Sequence, residues 1–204
     1  MGQRITRIPA PFEERTRQMV AQPEERLVDV DEYVAHEQTS MVKHEYVHGR
    51  VYAMAGGTID HDTIANNIRA MMIVRSGDGP CRVLGPDVRV RVSAEIYYYP
   101  DALVLCEGIP KGRNSEVSNP QLIVEVLSTG TAADDRGDKF ANYQSIPAFV
   151  EYLLVESRQR SVEHYRRTAP NLWTYQRCDP GATITLETLG LTCPVAAFYR
   201  RTEL

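Results

Sequence analysis

The chain has 204 residues, of which 43% are hydrophobic and 25% charged, and a formal net charge of −4. These proportions exclude a low-complexity or charge-repelled disordered chain, and the length favours one domain over two. The acidic balance speaks against a broadly basic surface for indiscriminate nucleic-acid binding, although a local groove can still be positive. No segment reaches the length of a membrane span, and the opening residues lack the apolar core of a secretion signal. Cys81, Cys106, Cys178 and Cys193 show no metal-knuckle or redox spacing and read as four reduced thiols of a cytoplasmic protein.

In chain order, residues 1–26 sustain no apolar periodicity and read as a poorly ordered N-terminal arm, leaving 27–204 as the single domain. Asp29 or Asp31 is placed to cap a short helix that turns Tyr33 and Val34 inward. HEYVHGRVYAM then reads as two strands, Glu45 to Val47 and Arg50 to Met54, around a tight His48–Gly49 turn. From His61 to Val74, Ile64, Ile68, Met71 and Met72 form the buried stripe of an amphipathic helix. Residues 81–92 read as a strand pair around Gly85 and Pro86, with Val88, Val90 and Val92 on one face and Asp87, Arg89 and Arg91 on the other. An apolar strand follows from Ala102 to Cys106, then a polar loop, then a second apolar strand from Leu122 to Leu127 of the kind buried on both faces. A helical segment containing Lys139 and Tyr143 ends at Pro147. FVEYLLVE, SVEHYRRT and NLWTYQRC read as three strands, followed by a short strand near Ile184 and a capping helix over residues 194–199. The order predicts an α/β or α+β fold, a mixed central sheet flanked by helices with additional C-terminal strands.

Two inner strands each carry one acid, Asp101 at the head of the first and Glu125 within the second. A carboxylate in such a place is costly to bury unless a cation or metal ion meets it. Lys139 and Tyr143 share one helical face just downstream. Two acids able to hold a divalent ion, with a lysine near, describe a phosphodiester-cleaving centre. The plainer alternative is a buried ion pair with Arg89, Arg91 or Lys139 as the partner. His44, Glu45 and His48 spell H-E-x-x-H, a zinc-peptidase pattern that works only on a helix. In a strand the two histidines stand roughly 13 Å apart, so a hairpin with exposed histidines is expected instead.

PDALVL, LIVEVLS and above all DRGDKFANYQSIPAFVEYLLV resemble the conserved blocks of the Uma-two family of restriction-endonuclease-like proteins, a branch of the PD-(D/E)XK nuclease superfamily. HEYVHGRVYAMAGG and the helix beginning at His61 resemble its earlier blocks. The resemblance implies a restriction-endonuclease-like fold and a metal-dependent endonuclease acting on DNA, with Mg²⁺ or Mn²⁺ as cofactor and a homodimer as the assembly. By that resemblance Asp101 and Glu125 are the metal-binding acids, joined by the Val126 carbonyl and by Glu45 near the N-terminal hairpin. The superfamily's lysine position holds Leu127 here, which points to Lys139 as the catalytic cation. Tyr143, His61 and Arg136 are supporting residues, and Lys111 and Arg136 are the competing cations. A second reading keeps the fold as a non-catalytic dimeric binding module.

Overall fold

The computed structural model describes residues 26–204 apart from Ala55, Lys111, Arg113 and Asn114. The arm expected over residues 1–26 lies almost wholly outside the described residues, and so does Lys111. Four α-helices are described: α1 (Val30–Glu37), α2 (Ile59–Ser76), α3 (Ala132–Arg136) and α4 (Asp138–Tyr143). The strands are β1 (His44–Val47), β2 (Arg50–Ala53), β3 (Arg82–Leu84), β4 (Arg89–Ser93), β5 (Ile96–Tyr98), β6 (Ala102–Leu105) and β7 (Glu116–Val117). They continue with β8 (Leu122–Leu127), β9 (Glu151–Glu156), β10 (Val162–Ala169), β11 (Leu172–Cys178), β12 (Thr183–Leu186) and β13 (Leu191–Pro194), and a 3₁₀ turn covers Val195–Tyr199. No helix among the described residues is long and apolar enough to cross a membrane.

The central sheet is mixed and six-stranded, in the order β11-β10-β9-β8-β6-β3, with β8 parallel to β9 and antiparallel to β6. All six residues of β8 are buried, as its unbroken apolar run requires of a strand covered on both sides. Strand periodicity then divides the core. Val104, Leu122, Val124 and Val126 face Ile64, Ile68 and Met72 of α2. Leu103, Leu105, Ile123 and Leu127 face the opposite way, towards Tyr143, Phe149 and Tyr98. Asp101 and Glu125 share the parity of this second group.

A second sheet, five-stranded in the order β2-β1-β5-β4-β7, carries the N-terminal hairpin. His48 (φ 49°) and Gly49 (φ 85°) both adopt left-handed backbone conformations, the pair that matches the right-handed twist of a two-residue hairpin. Glycine serves at 49 for a further reason, since an added Cβ would stand 3.0 Å from Leu27. Asp29 caps α1 by accepting the Asp31 amide at 2.8 Å. Tyr33 of α1 then stacks on Tyr46 with ring centroids 4.8 Å apart, which fixes α1 against β1.

Two expectations are overturned. The segment 81–92 is not a strand pair, because β3 joins the six-stranded sheet and β4 the five-stranded one, so Gly85 and Pro86 carry the chain between layers. Arg89 accompanies this split: its guanidinium is buried over the rings of Tyr33 and Tyr97 and pairs with Glu116, so the charged face is partly interior. Nor are all four thiols reduced. The β3–β6 register sets Arg82 opposite Leu105, and one residue further Cys81 meets Cys106 in a disulfide. Cys178 and Cys193 are free and buried.

The start of β9 is anchored by a buried carboxylate. Glu151 Oε1 lies 2.8 Å from His164 Nε2 of β10 and accepts the Glu187 amide at 3.0 Å, while Oε2 accepts the Thr188 amide at 3.0 Å. One side chain thereby ties β9, β10 and the turn between β12 and β13.

Candidate active site

The antiparallel register that sets Ala102 opposite Val124 places Asp101 opposite Glu125 when carried one residue further. Both residues line one cleft. The Val126 amide donates to Asp101 Oδ2 at 2.7 Å, locking the acid at the mouth of β6 to the backbone of β8. Glu125 is buried, and its Oε1 accepts the Tyr143 hydroxyl at 3.2 Å from beneath. His61, in the first turn of α2, brings Nε2 to 3.5 Å from Asp101 Oδ2.

Lys139 holds the centre. Its Nζ lies 2.8 Å from Glu45 Oε1, 3.1 Å from Asp135 Oδ1 and 3.5 Å from Glu125 Oε1. The ammonium also sits 5.3 Å above the Tyr98 ring, a cation–π contact. Gly137 separates α3 from α4, yet Asp135 and Lys139 keep the i,i+4 relation that points both inward. Glu45 is held in place by the Tyr99 amide, which donates to its Oε1 at 3.3 Å.

Burial and neighbouring acids together set the electrostatics. Burial pushes the Glu125 carboxyl well above the ordinary glutamate value; Lys139 opposes this, and Asp135, Asp101 and Glu45 add to it. For Lys139, burial alone would lower the ammonium, but Glu125, Glu45 and Asp135 outweigh it and hold the group well above the usual lysine value. The Asp101 carboxylate raises His61 against the opposing effect of burial, with the Val126 backbone contributing in the same direction. Glu45, Asp101, Glu125 and Asp135 thus share with Lys139 and His61 a cleft of about 990 Å³, whose lining also includes Asp62, Asp134, Asp138 and Arg69.

Asp101, Glu125, Val126, Lys139, Glu45 and His61 all border this cleft, and Tyr143 supports it from below. Arg136 does not belong to it. Its Nε donates to Glu163 Oε1 at 2.8 Å and its Nη2 pairs with Glu156, so it pins α3 to β9 and β10. Asp135 is a cleft residue that sequence reasoning passed over, although its spacing of four from Lys139 was the available signal, and Asp62, Arg69, Asp134 and Asp138 also line the cleft without having been named as site residues. The H-E-x-x-H motif lies on β1 and its turn, where Glu37 takes His44 and Glu95 takes His48, each at 3.1 Å. The expectation that both histidines are exposed fails at position 44, because His44 packs beneath the end of α1 and only 16% of its side chain is open.

Comparison with known proteins agrees with this architecture. Residues 30–196 match the model of the Uma2 family, described as "Putative restriction endonuclease", and the chain belongs to that family. Among its relatives are two Synechocystis proteins, both described as uncharacterized. The protein sll1609 is 32% identical over 151 residues, covering 72% of this chain and 85% of its own length. The protein slr1290 is 32% identical over 173 residues, covering 83% and 90%. The fold is shared with a crystal structure from Anabaena variabilis described as a "putative nuclease", with a TM-score of 0.70, 16% identity, and coverage of 84% of this chain and 97% of that one.

Proposed function

We propose that the protein is a Mg²⁺- or Mn²⁺-dependent endonuclease that hydrolyses phosphodiester bonds in DNA. The observation that carries this reading is the convergence of carboxylates from β1, β8 and α3 around the Lys139 ammonium, with Asp101 at the head of β6 lining the same cleft. The membership of a family described as restriction endonucleases supports the choice of DNA.

The donors fit a hard divalent ion. Asp101, Glu125 and the Val126 carbonyl offer only oxygen, the donor set of Mg²⁺ and Mn²⁺, with Glu45 beside them. Such an ion would also offset the burial, and after it the neighbouring acids, that push Glu125 upward. When bound, such an ion supplies Lewis acidity and a bound water of lowered pKa.

The chain's own groups account for the remainder. Tyr143 donates to Oε1 of Glu125, the oxygen that also lies 3.5 Å from Lys139, and so holds the carboxylate in orientation. The Val126 amide and His61 both address Asp101 Oδ2 and hold that carboxylate in orientation. Lys139 orients the attacking water or steadies charge that develops on phosphate, its flexible stem carrying the ammonium from its acids to the reacting atoms. Leu127, at the position where the superfamily places its lysine, is packed in the second core and offers no donor.

The test is cleavage of supercoiled plasmid with Mg²⁺, Mn²⁺ or EDTA by wild type, Asp101→Asn and Glu125→Gln. Metal-dependent cleavage by wild type that vanishes in both variants is expected. Inert wild type, or variants as active as wild type, would remove the reading in favour of a non-catalytic binding module.

A further inference from the structure

His44, the first residue of the false zinc motif, belongs to a different cluster. His36 and Glu37 close α1, His44 opens β1, and one potential ligand atom from each lies within 4.8 Å of the other two. His44 Nδ1 is 3.1 Å from Glu37 Oε2, and the rings of His36 and His44 have centroids 5.2 Å apart.

We propose that His36, Glu37 and His44 form a second metal centre, for Zn²⁺ or a similar nitrogen-preferring divalent ion, separate from the acidic cleft. Two imidazoles and one carboxylate make a three-ligand set that leaves a fourth position for water. Nitrogen donors select against Mg²⁺, so the two centres divide metals by chemistry. Ligands at zinc distances of about 2.0–2.1 Å stand roughly 3.4 Å apart in a tetrahedron, so the triad has to contract only slightly. His36 is exposed and free to make that adjustment.

Glu37 is already oriented for the task. Its Oε1 accepts the His44 amide at 3.0 Å and the Tyr99 hydroxyl at 3.0 Å, the outer contacts that hold a ligating carboxylate in place. Oε2 is the oxygen left facing the histidines. An ordinary Glu37–His44 pair explains those two residues and gives no reason for His36 to stand beside them. The centre would clasp the end of α1 to β1. Its Tyr99 support also donates a backbone amide to Glu45, so the clasp braces the edge of the acidic cleft.

The experiment is titration of Zn²⁺ alone into the metal-free full chain, followed by calorimetry, with Co²⁺ as a spectroscopic reporter of four-coordination. One zinc is expected in wild type, and equally in the double variant Asp101→Asn/Glu125→Gln, which removes the acids of the cleft. His36→Ala alters an exposed residue, so the fold is retained, and it should weaken Zn²⁺ by about 100-fold, as should Glu37→Gln. His48→Ala should bind like wild type. The proposal is overturned if wild type takes up no zinc, if His36→Ala binds as tightly as wild type, or if binding disappears with the cleft acids or with His48.

Discussion

Lys139 Nζ lies 2.8 Å from Glu45 Oε1, joining a short helix behind the six-stranded sheet to the first strand of the five-stranded one. The ammonium that the proposed chemistry needs is therefore engaged by acids before substrate arrives. It offsets part of their charge now and has to leave at least one of them to reach a phosphate.

Lys139→Met keeps most of the stem and removes the charge. Metal-dependent plasmid cleavage should fall by about two to four orders of magnitude, the span for one positioned catalytic group. Mn²⁺ affinity measured by calorimetry should stay level or rise, since a competing cation is gone. A marked loss of Mn²⁺ affinity would show that Lys139 organises the ligands and is not the catalytic cation.

Asp135 also holds Lys139, at 3.1 Å. As a positioning residue it should matter through the lysine. Asp135→Asn should lower the cleavage rate roughly 10–100-fold, the range for outer contacts, with KM and Mn²⁺ affinity little changed. If Asp135→Asn abolished Mn²⁺ binding, the acid would have to be moved into the ligand set.

The Glu151 anchor makes stability depend on acid. Burial alone would raise this carboxyl, but His164 and the Thr188 amide outweigh it and hold the group below its ordinary value of 4.5. A group lowered on folding stabilises fully above its unfolded value and loses that contribution as pH falls through the lowered one. The urea midpoint of wild type should therefore drop on acidification below about pH 4.5. Glu151→Gln should have a lower midpoint at pH 7 and a shallower acid limb; an acid limb identical to that of wild type would mean that other carboxylates set it.

The disulfide between Cys81 and Cys106 spans 25 residues of sequence. Loop-closure entropy predicts that reduction, or Cys81→Ser, costs about 3 kcal/mol, read as a lower urea midpoint. Equal midpoints with and without reductant would mean that the β3–β6 ladder holds that edge unaided.

The sequence carries some of this design on its surface and conceals the rest. Asp101 and Glu125 stand out because one heads an apolar strand and the other interrupts one, and that local contrast leads to the cleft they line. The hairpin is legible in His48–Gly49, and the two-sided burial of β8 in its uniform run of branched residues. What stays hidden depends on register and on partners far along the chain. The pairing of Cys81 with Cys106 requires β3 to align antiparallel to β6. The separation of β3 from β4 rests on aromatic rings drawn from α1 and β5 around Arg89. Arg136 reads as a supporting residue or competing cation until strands β9 and β10 deliver Glu156 and Glu163 to it.

The bridge from Glu45 to Lys139 has a consequence for how the chain comes to life. One partner belongs to the sheet that receives the N-terminal hairpin, the other to the layer behind β8, and contacts so distant in sequence form late because their loops are slow to close. The acidic centre is complete only once the two sheets have docked. A half-folded chain would thus hold the acids without their counter-charge and with the cleft unformed, so the proposed chemistry would wait until folding is finished.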